Sequence, residues 1–266
     1  MIARLMPLSL IFVSALGVAQ AGPTQTQADI PAVLQTLQTG DSKARKSAAE
    51  QLAIAAPSKS ICDAFSAIAD KLSDSDSGVR TWVAGILLEC VISDPALASL
   101  AARQRTALLS GLSSPDPTER VMMLRLVVSL GDPLAGEFQS RVFELLHDPD
   151  RKVRLIAVSA VQLYKPLPSE VVMALDSMIE NKDDDRGAAA QTLGEMKISD
   201  PRTIGLLETA LQDKDRYVRQ EAVRALMEIG HPAGHAVSAL RVLANDPKTD
   251  DMLKKLANDA INAIQQ

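Results

Sequence analysis

The chain has 266 residues, with 33 acidic and 28 basic side chains and a formal net charge of −5 at pH 7. Proteins that bind duplex nucleic acid need a basic face to displace counterions, so this acidic balance argues against a nucleic-acid partner. Apolar residues make up 47% of the chain and aromatic residues only 3%, which suits closely packed aliphatic helices and leaves few rings to stack on bases or sugars.

The first 21 residues have the organisation of a secretory signal peptide. Arg4 precedes an apolar stretch over 8–18, and Ala19-Gln20-Ala21 has the small-x-small pattern of a cleavage site. The stretch is shorter than the roughly 20 residues of a membrane-spanning helix, and a membrane anchor is the alternative interpretation. We expect cleavage after Ala21, a flexible segment over 22–29, and a periplasmic or secreted protein without a membrane span after signal removal.

Helical patterns follow in pairs from residue 30 to the end of the chain. The first helices are predicted at 30–38, 59–73, 100–112, 134–147, 168–181, 201–212 and 234–245. Their partners, here called the second helices, are predicted at 41–54, 77–92, 117–130, 150–164, 184–196, 215–229 and 251–265. Between the two helices of a pair lies a short turn rich in Asp, Pro and Ser, whose side chains suit the cap and first turn of the second helix.

Six of the second helices carry an arginine near their start: Arg45, Arg80, Arg120, Arg154, Arg186 and Arg219. Apolar side chains three, six, seven and ten residues after each arginine share one helix face. The arginines are 32 to 40 residues apart, and a repeat of this length indicates stacked helical hairpins. We therefore predict an all-α, right-handed α-solenoid of about seven antiparallel helix pairs, forming one repeat domain over 30–266.

The clearest repeat carries a resemblance to a known family. Residues 188–196, the pair Asp200-Pro201 and residues 210–230 resemble the HEAT-like repeat of the phycobilisome-lyase type. The unit at Arg186 departs from the pattern because Gly187 follows the arginine, which predicts a locally weaker helix. The last pair lacks the arginine, as suits a terminal repeat.

The resemblance implies a structural role for the recurring charges. Asp74, Asp148 and Asp213 each stand six residues before a repeat arginine. In HEAT repeats such acids and arginines form a polar ladder between neighbouring hairpins, in which each arginine donates to a carboxylate or a carbonyl beside it. We therefore interpret them as structural groups rather than as metal or nucleotide ligands.

The only two cysteines are Cys62 and Cys90. Cys62 is predicted near the start of one helix and Cys90 near the end of the next, and these ends meet in an antiparallel hairpin. In an exported protein this arrangement predicts a disulfide, and two buried free thiols are the alternative.

The second helices also carry candidate binding residues on the side opposite their core face. Apolar side chains predominate there in the middle repeats and polar ones in the terminal repeats. In HEAT-like proteins the second helices line the concave side, so an apolar strip with a polar rim predicts a groove for a protein or a peptide. The predicted binding residues are Trp82, Val121, Met122, Arg125, Leu155, Ile156 and Arg224. The alternative is that these residues belong to the core.

No sequence pattern indicates catalytic, cofactor or metal chemistry. We find no nucleophile elbow, zinc-binding His-Glu pair, phosphate loop or serine–lysine dyad. His231 and His235 are separated by Pro232 and Gly234, which favours a capping or surface role, and the acids of 183–185 suit the start of a helix. We predict an exported, non-catalytic scaffold that binds a protein or peptide on its concave surface. A bilin-lyase-like enzyme, which the resemblance includes, and an immunity or inhibitor protein are the alternatives.

Overall fold

The computed structural model describes residues 29–266, without the side chains of residues 102, 132–135 and 137. The predicted signal peptide and residues 22–28 lie outside the described part. Within it every regular element is helical. The α-helices are α1 (Ile30–Thr39), α2 (Ser42–Ala55), α3 (Lys59–Asp63), α4 (Phe65–Ala69), α5 (Ser77–Ser93), α6 (Ala98–Ala101), α7 (Arg105–Leu112), α8 (Pro117–Leu130), α9 (Asp132–Glu144), α10 (Arg151–Ala160), α11 (Ser169–Glu180), α12 (Arg186–Glu195), α13 (Pro201–Ala210), α14 (Arg216–Ile229), α15 (Val237–Asn245) and α16 (Asp251–Gln265).

These helices confirm the predicted pairs, and 3-10 turns interrupt two of the first helices. The stretch predicted over 59–73 is broken into α3, α4 and a 3-10 turn at Asp70–Ser73. The stretch predicted over 100–112 is likewise divided by a 3-10 turn at Ala102–Gln104. Short 3-10 turns keep backbone groups hydrogen-bonded where a helix changes direction, so both segments still run as one first helix.

Aspartates fix where most of the second helices begin. The side chain at the N-terminal cap accepts a hydrogen bond from a backbone N–H of the first turn in six second helices: Asp41 at α2, Asp76 at α5, Asp116 at α8, Asp150 at α10, Asp215 at α14 and Asp250 at α16. A cap of this kind satisfies backbone donors that otherwise have no partner. The turn chemistry read from the sequence therefore sets the start of these second helices, whereas α12 has no such cap.

The chain divides into two compact units, with unit 1 ending at Leu130 and unit 2 beginning at Gly131. In unit 1 the second helix α5 packs between α2 and α8. In unit 2 the second helices α10, α12, α14 and α16 pack side by side in chain order. Aliphatic and alanine side chains fill the space between neighbouring hairpins, for example Val83, Leu87, Leu126, Ala189, Ala222 and Leu226. Each unit is thus an α-solenoid stack, as predicted.

Glycines allow α12 and α14 of unit 2 to approach one another closely. A Cβ atom on Gly194 would lie 2.4 Å from the Cα of Ala225, which leaves no room for a side chain. A Cβ atom on Gly187 would lie 2.6 Å from the ring of Tyr217. Gly187, which sequence analysis treats only as a weak helix former, therefore makes space for an aromatic ring.

Cys62 and Cys90 form a disulfide, which confirms the predicted pairing. The bridge joins α3 to α5, and the two Cα atoms are 5.6 Å apart. It ties the first helix of a hairpin to the end of its second helix. Unit 1 therefore has a covalent link inside the hairpin that lies between its two neighbours.

Removal of this disulfide is expected to lower the free energy of unfolding of unit 1 by roughly 3–4 kcal/mol, because the bridge closes a chain segment of 28 residues. The double variant Cys62→Ala, Cys90→Ala and the reduced wild type should both unfold at lower urea concentration than the oxidised wild type, followed by circular dichroism. Equal midpoints for the oxidised and reduced wild type would contradict this prediction.

Candidate partner-binding surface

The repeat arginines join neighbouring hairpins inside each unit. In unit 1, Arg45 donates to both oxygens of Asp74 at 2.8 and 2.9 Å, and Arg80 donates to both oxygens of Glu119 at 2.6 and 2.8 Å. Arg80 also donates from Nη1 to the backbone oxygen of Asp74 at 2.7 Å. A single guanidinium thus holds its own turn and the carboxylate of the next hairpin, as the resemblance implies.

Unit 2 repeats this arrangement. Arg186 donates to both oxygens of Asp213 at 2.8 and 2.9 Å, and Arg154 donates to Asp185 at 2.7 Å. The hydrogen bonds from Arg186 hold the pKa of Asp213 below its usual value, although burial opposes them. Arg219 donates to the backbone oxygens of Asp213 and Lys214 at 2.7 and 3.1 Å. These charges are structural groups of the stack.

Two acids of the ladder were missed by sequence analysis. Glu119 and Asp185 stand immediately before a repeat arginine rather than six residues before it, and both side chains are fully buried. Asp185 stands at the start of α12, as predicted, and it also accepts hydrogen bonds from Arg151 and Arg154, a role that sequence analysis did not assign to it. A search for an acid either six residues before the repeat arginine or immediately before it would have found both.

The predicted binding residues of unit 1 lie on two adjacent second helices. Trp82 is half-buried on α5, and Val121 and Arg125 are half-buried one turn apart on α8. Met122 is only 5% exposed, so its prediction as a contact residue is wrong and the core alternative holds for it.

The predicted binding residues of unit 2 are spread over two helices that do not adjoin. Leu155 and Ile156 are half-buried next to each other on α10. Arg224 is exposed on α14, and α12 packs between these two helices. The three predicted residues of unit 2 therefore do not form one cluster, and among the seven only those of unit 1 include an aromatic side chain.

Further exposed apolar side chains lie on the second helices and were not predicted. Ile54 and Ile92 of unit 1 are 56% and 52% exposed, and Tyr217 and Met252 of unit 2 are 49% and 62% exposed. Tyr217 packs against Gly187, as its distance to a Cβ atom there shows. The exposure of single apolar residues depends on the neighbouring repeat, which the position within one repeat does not reveal.

Residues 178–262 match the family model for HEAT repeats. This part of unit 2 is therefore similar to HEAT repeats. The comparison with curated proteins gave no match. The matched residues include the bidentate pair of Arg186 and Asp213, which is one pair of the arginine ladder.

Solved structures extend the HEAT-like fold to most of the chain. YibA of Escherichia coli has 17% identity and a TM-score of 0.71 over 91% of this chain and 82% of its own. An archaeal HEAT-like repeats protein from Thermococcus onnurineus NA1 has 14% identity and a TM-score of 0.59 over 92% and 98% of the two chains. A designed armadillo repeat protein in complex with the peptide (KR)4 has 17% identity and a TM-score of 0.52 over 89% and 100%. At these identities the similarity shows the fold alone.

The histidine and acidic side chains that could carry chemistry either contact a neighbouring hairpin or lie apart from one another. His235 Nε2 lies 3.2 Å from Glu208 Oε1. Among the described residues no three His, Cys, Asp or Glu side chains are placed to hold a metal ion. No helix in residues 29–266 has the length and apolar character needed to cross a bilayer.

A buried hydrogen bond links the first helices of two neighbouring hairpins of unit 2. Thr203 on α13 donates to Asp176 on α11 at 2.9 Å, and both side chains are almost fully buried. Burial raises the pKa of Asp176 above its usual value, although the bond from Thr203 opposes this. The folded state therefore binds a proton at Asp176 more tightly than the unfolded state does.

Asp176→Asn is expected to raise the free energy of unfolding at pH 7, because the amide oxygen still accepts the bond from Thr203 and the buried charge is removed. The stability that the proton gives the wild type is present below the usual pKa of 3.8 and is lost as pH rises through the raised pKa. Urea unfolding at pH 7 and pH 4 should show the advantage of the variant shrinking in acid. A variant less stable than the wild type at pH 7 would contradict this account.

Proposed function

We propose that this protein is an exported, non-catalytic HEAT-repeat scaffold that binds another protein or a peptide through the second-helix side of its hairpins. The observation that carries the proposal is the surface of α5 and α8 in unit 1. Trp82, Val121 and Arg125 are half-buried on this surface, whereas other large side chains of the same two helices are fully buried. Aromatic residues and arginine are the residue types that most often dominate protein interfaces.

The proposed mechanism is the presentation of a rigid surface. The ladder of Arg45, Arg80 and their carboxylate partners holds the second helices of unit 1 in register. A partner that lies across α5 and α8 would meet side chains already fixed in position, so little ordering entropy would be lost on binding. The designed armadillo repeat protein in complex with (KR)4 supports this use of the fold, since its helical repeats bind a peptide.

Export is the second part of the proposal. The disulfide between Cys62 and Cys90 supports it, because disulfides persist in oxidising compartments. The signal-peptide pattern of the first 21 residues supports it as well. Mass spectrometry of the protein from the native cell should find a chain that begins at Gly22 in the periplasmic or secreted fraction. An unprocessed chain in the cytoplasm would overturn the proposal of export.

Binding is tested by placing one new charge on each side of the hairpins. Val121→Asp changes the proposed surface, and Met173→Asp changes an exposed apolar residue of the first helix α11. Proteins that co-purify with the wild type from the native compartment should be lost with Val121→Asp and retained with Met173→Asp, at equal helical content by circular dichroism. Retention of the same partners by Val121→Asp would overturn the proposed surface.

A further inference from the structure

One arginine of unit 1 has a buried donor without an acceptor. The Nε of Arg125 on α8 is buried and makes no hydrogen bond within the described part of the chain. Burial lowers the pKa of Arg125, since the charged form loses water and gains no opposite charge. The repeat arginines differ, because each of them donates to the backbone oxygens of its own turn, as Arg80 does to Asp74. Arg125 therefore plays no part in the ladder.

An equivalent arginine in unit 2 shows what Arg125 lacks. Arg224 and Arg125 both stand five residues after a repeat arginine. Arg224 donates from Nη1 to the Glu221 carboxylate at 3.0 Å, three residues earlier on the same helix. The residue three before Arg125 is Met122, which is uncharged. The chain thus pairs one guanidinium with a carboxylate and gives the Nε of the equivalent one in unit 1 no acceptor.

The neighbouring helix does not supply the missing charge. Glu89 is half-buried on α5, which packs against α8. Burial alone raises the pKa of Glu89, with no contribution from an arginine, so its carboxylate is not paired with Arg125. Val121 lies one turn before Arg125 on the same side of α8 and is half-buried. The guanidinium of Arg125, which has no carboxylate partner, therefore lies beside an apolar side chain on a second helix.

We propose that Arg125 binds a carboxylate of the partner, carried by an acidic residue of a segment that lies on α8 beside Val121. This inference deepens the proposed function and rests on it. A guanidinium offers a planar fork of donors that matches a carboxylate, and its contact with a charged acceptor is strongest where water is excluded. The partner is thus a chain with Asp or Glu next to an apolar side chain, rather than a basic peptide.

The test is selection of peptides from a random 12-residue phage-display library on the full exported protein. The wild type should enrich peptides with Asp or Glu at one position. Selected peptides are then synthesised with an amidated C-terminus, with Glu or Gln at that position, and their affinity is measured by fluorescence anisotropy. Glu→Gln in the peptide and Arg125→Gln in the protein should each weaken binding by about tenfold or more, and the two changes together should weaken it little further.

Two further variants serve as controls. Arg103→Gln removes the same charge from an exposed position of unit 1 and should leave the affinity unchanged. Met122→Glu should weaken binding as Arg125→Gln does, because the new carboxylate would pair with Arg125 as Glu221 pairs with Arg224. Met122→Gln adds no charge and should weaken binding less. Circular dichroism reports whether each variant is folded.

The outcomes separate this inference from the proposed function. Peptides selected by the wild type without an acidic position, or bound equally by Arg125→Gln, would overturn the carboxylate anchor and leave the binding surface standing. Preference for an amidated peptide that carries phosphoserine over one that carries Glu would also overturn it, in favour of a phosphate. Failure to select any peptide would count against both the anchor and the surface.

Discussion

Asp213→Ala is expected to lower the free energy of unfolding of unit 2 by about 3–5 kcal/mol. Asp213 accepts two hydrogen bonds from Arg186, and the exposed fractions of the two side chains are only 9% and 8%. Truncation leaves the Arg186 guanidinium buried without its carboxylate, and this uncompensated charge accounts for most of the loss. The backbone N–H of Asp215, at the start of α14, also loses the acceptor that it has in Asp213.

The measurement is urea unfolding followed by circular dichroism, with Glu180→Ala as the matched control. Glu180 pairs with Arg202 at 2.7 Å, but both side chains are more than half exposed, so its removal should cost at most about 1 kcal/mol. Because the pKa of Asp213 is lowered in the folded state, its ionised carboxylate stabilises the fold fully above pH 3.8. This stabilisation is lost as pH falls through the lowered pKa. Equal midpoints for the two variants at pH 7 would show that the ladder does not hold the hairpins together.

Gly194→Ala is expected to lower the free energy of unfolding by roughly 3 kcal/mol, the upper part of the range for overpacked interiors. The added Cβ would lie 2.4 Å from the Cα of Ala225. Since this neighbour is backbone, α12 and α14 must move apart, and the contacts between them are lost along their length. The effect has the opposite sign to the usual gain when alanine replaces glycine inside a helix.

Gly205→Ala on α13 is the control for this prediction. A Cβ atom on Gly205 would meet no atom within 4 Å, so alanine there should stabilise the protein by up to about 1 kcal/mol. In thermal unfolding, the melting temperature should therefore fall below that of the wild type for Gly194→Ala and rise above it for Gly205→Ala. A melting temperature of Gly194→Ala at or above that of the wild type would contradict the close approach of these helices.

The helical hairpins could be predicted from the sequence because their signals are local and recur. The cap at Asp150, the apolar face that follows Arg154 and the glycine at the end of α14 each depend on residues within one turn or one helix. The pairing of Cys62 with Cys90 followed once the hairpin was assigned. These features need no knowledge of the neighbouring repeat.

The surface was predicted less completely because exposure depends on what the next hairpin places against a side chain. Met122 and Val121 are adjacent in sequence, yet the first is core and the second is half-buried. Glu119 occupies a different position in its turn from Asp74, and each meets the arginine of the preceding hairpin. A bidentate contact requires a carboxylate at one place in space, which more than one sequence position can reach.

The central claim is that a partner binds on the second helices, and hydrogen–deuterium exchange of the protein with and without its partner tests it most directly. The account predicts slower exchange in α5 and α8 when the partner, or a peptide selected by the wild type, is bound, and unchanged exchange in the first helix α7. Slower exchange confined to α7 and the other first helices, with α5 and α8 unchanged, would contradict it.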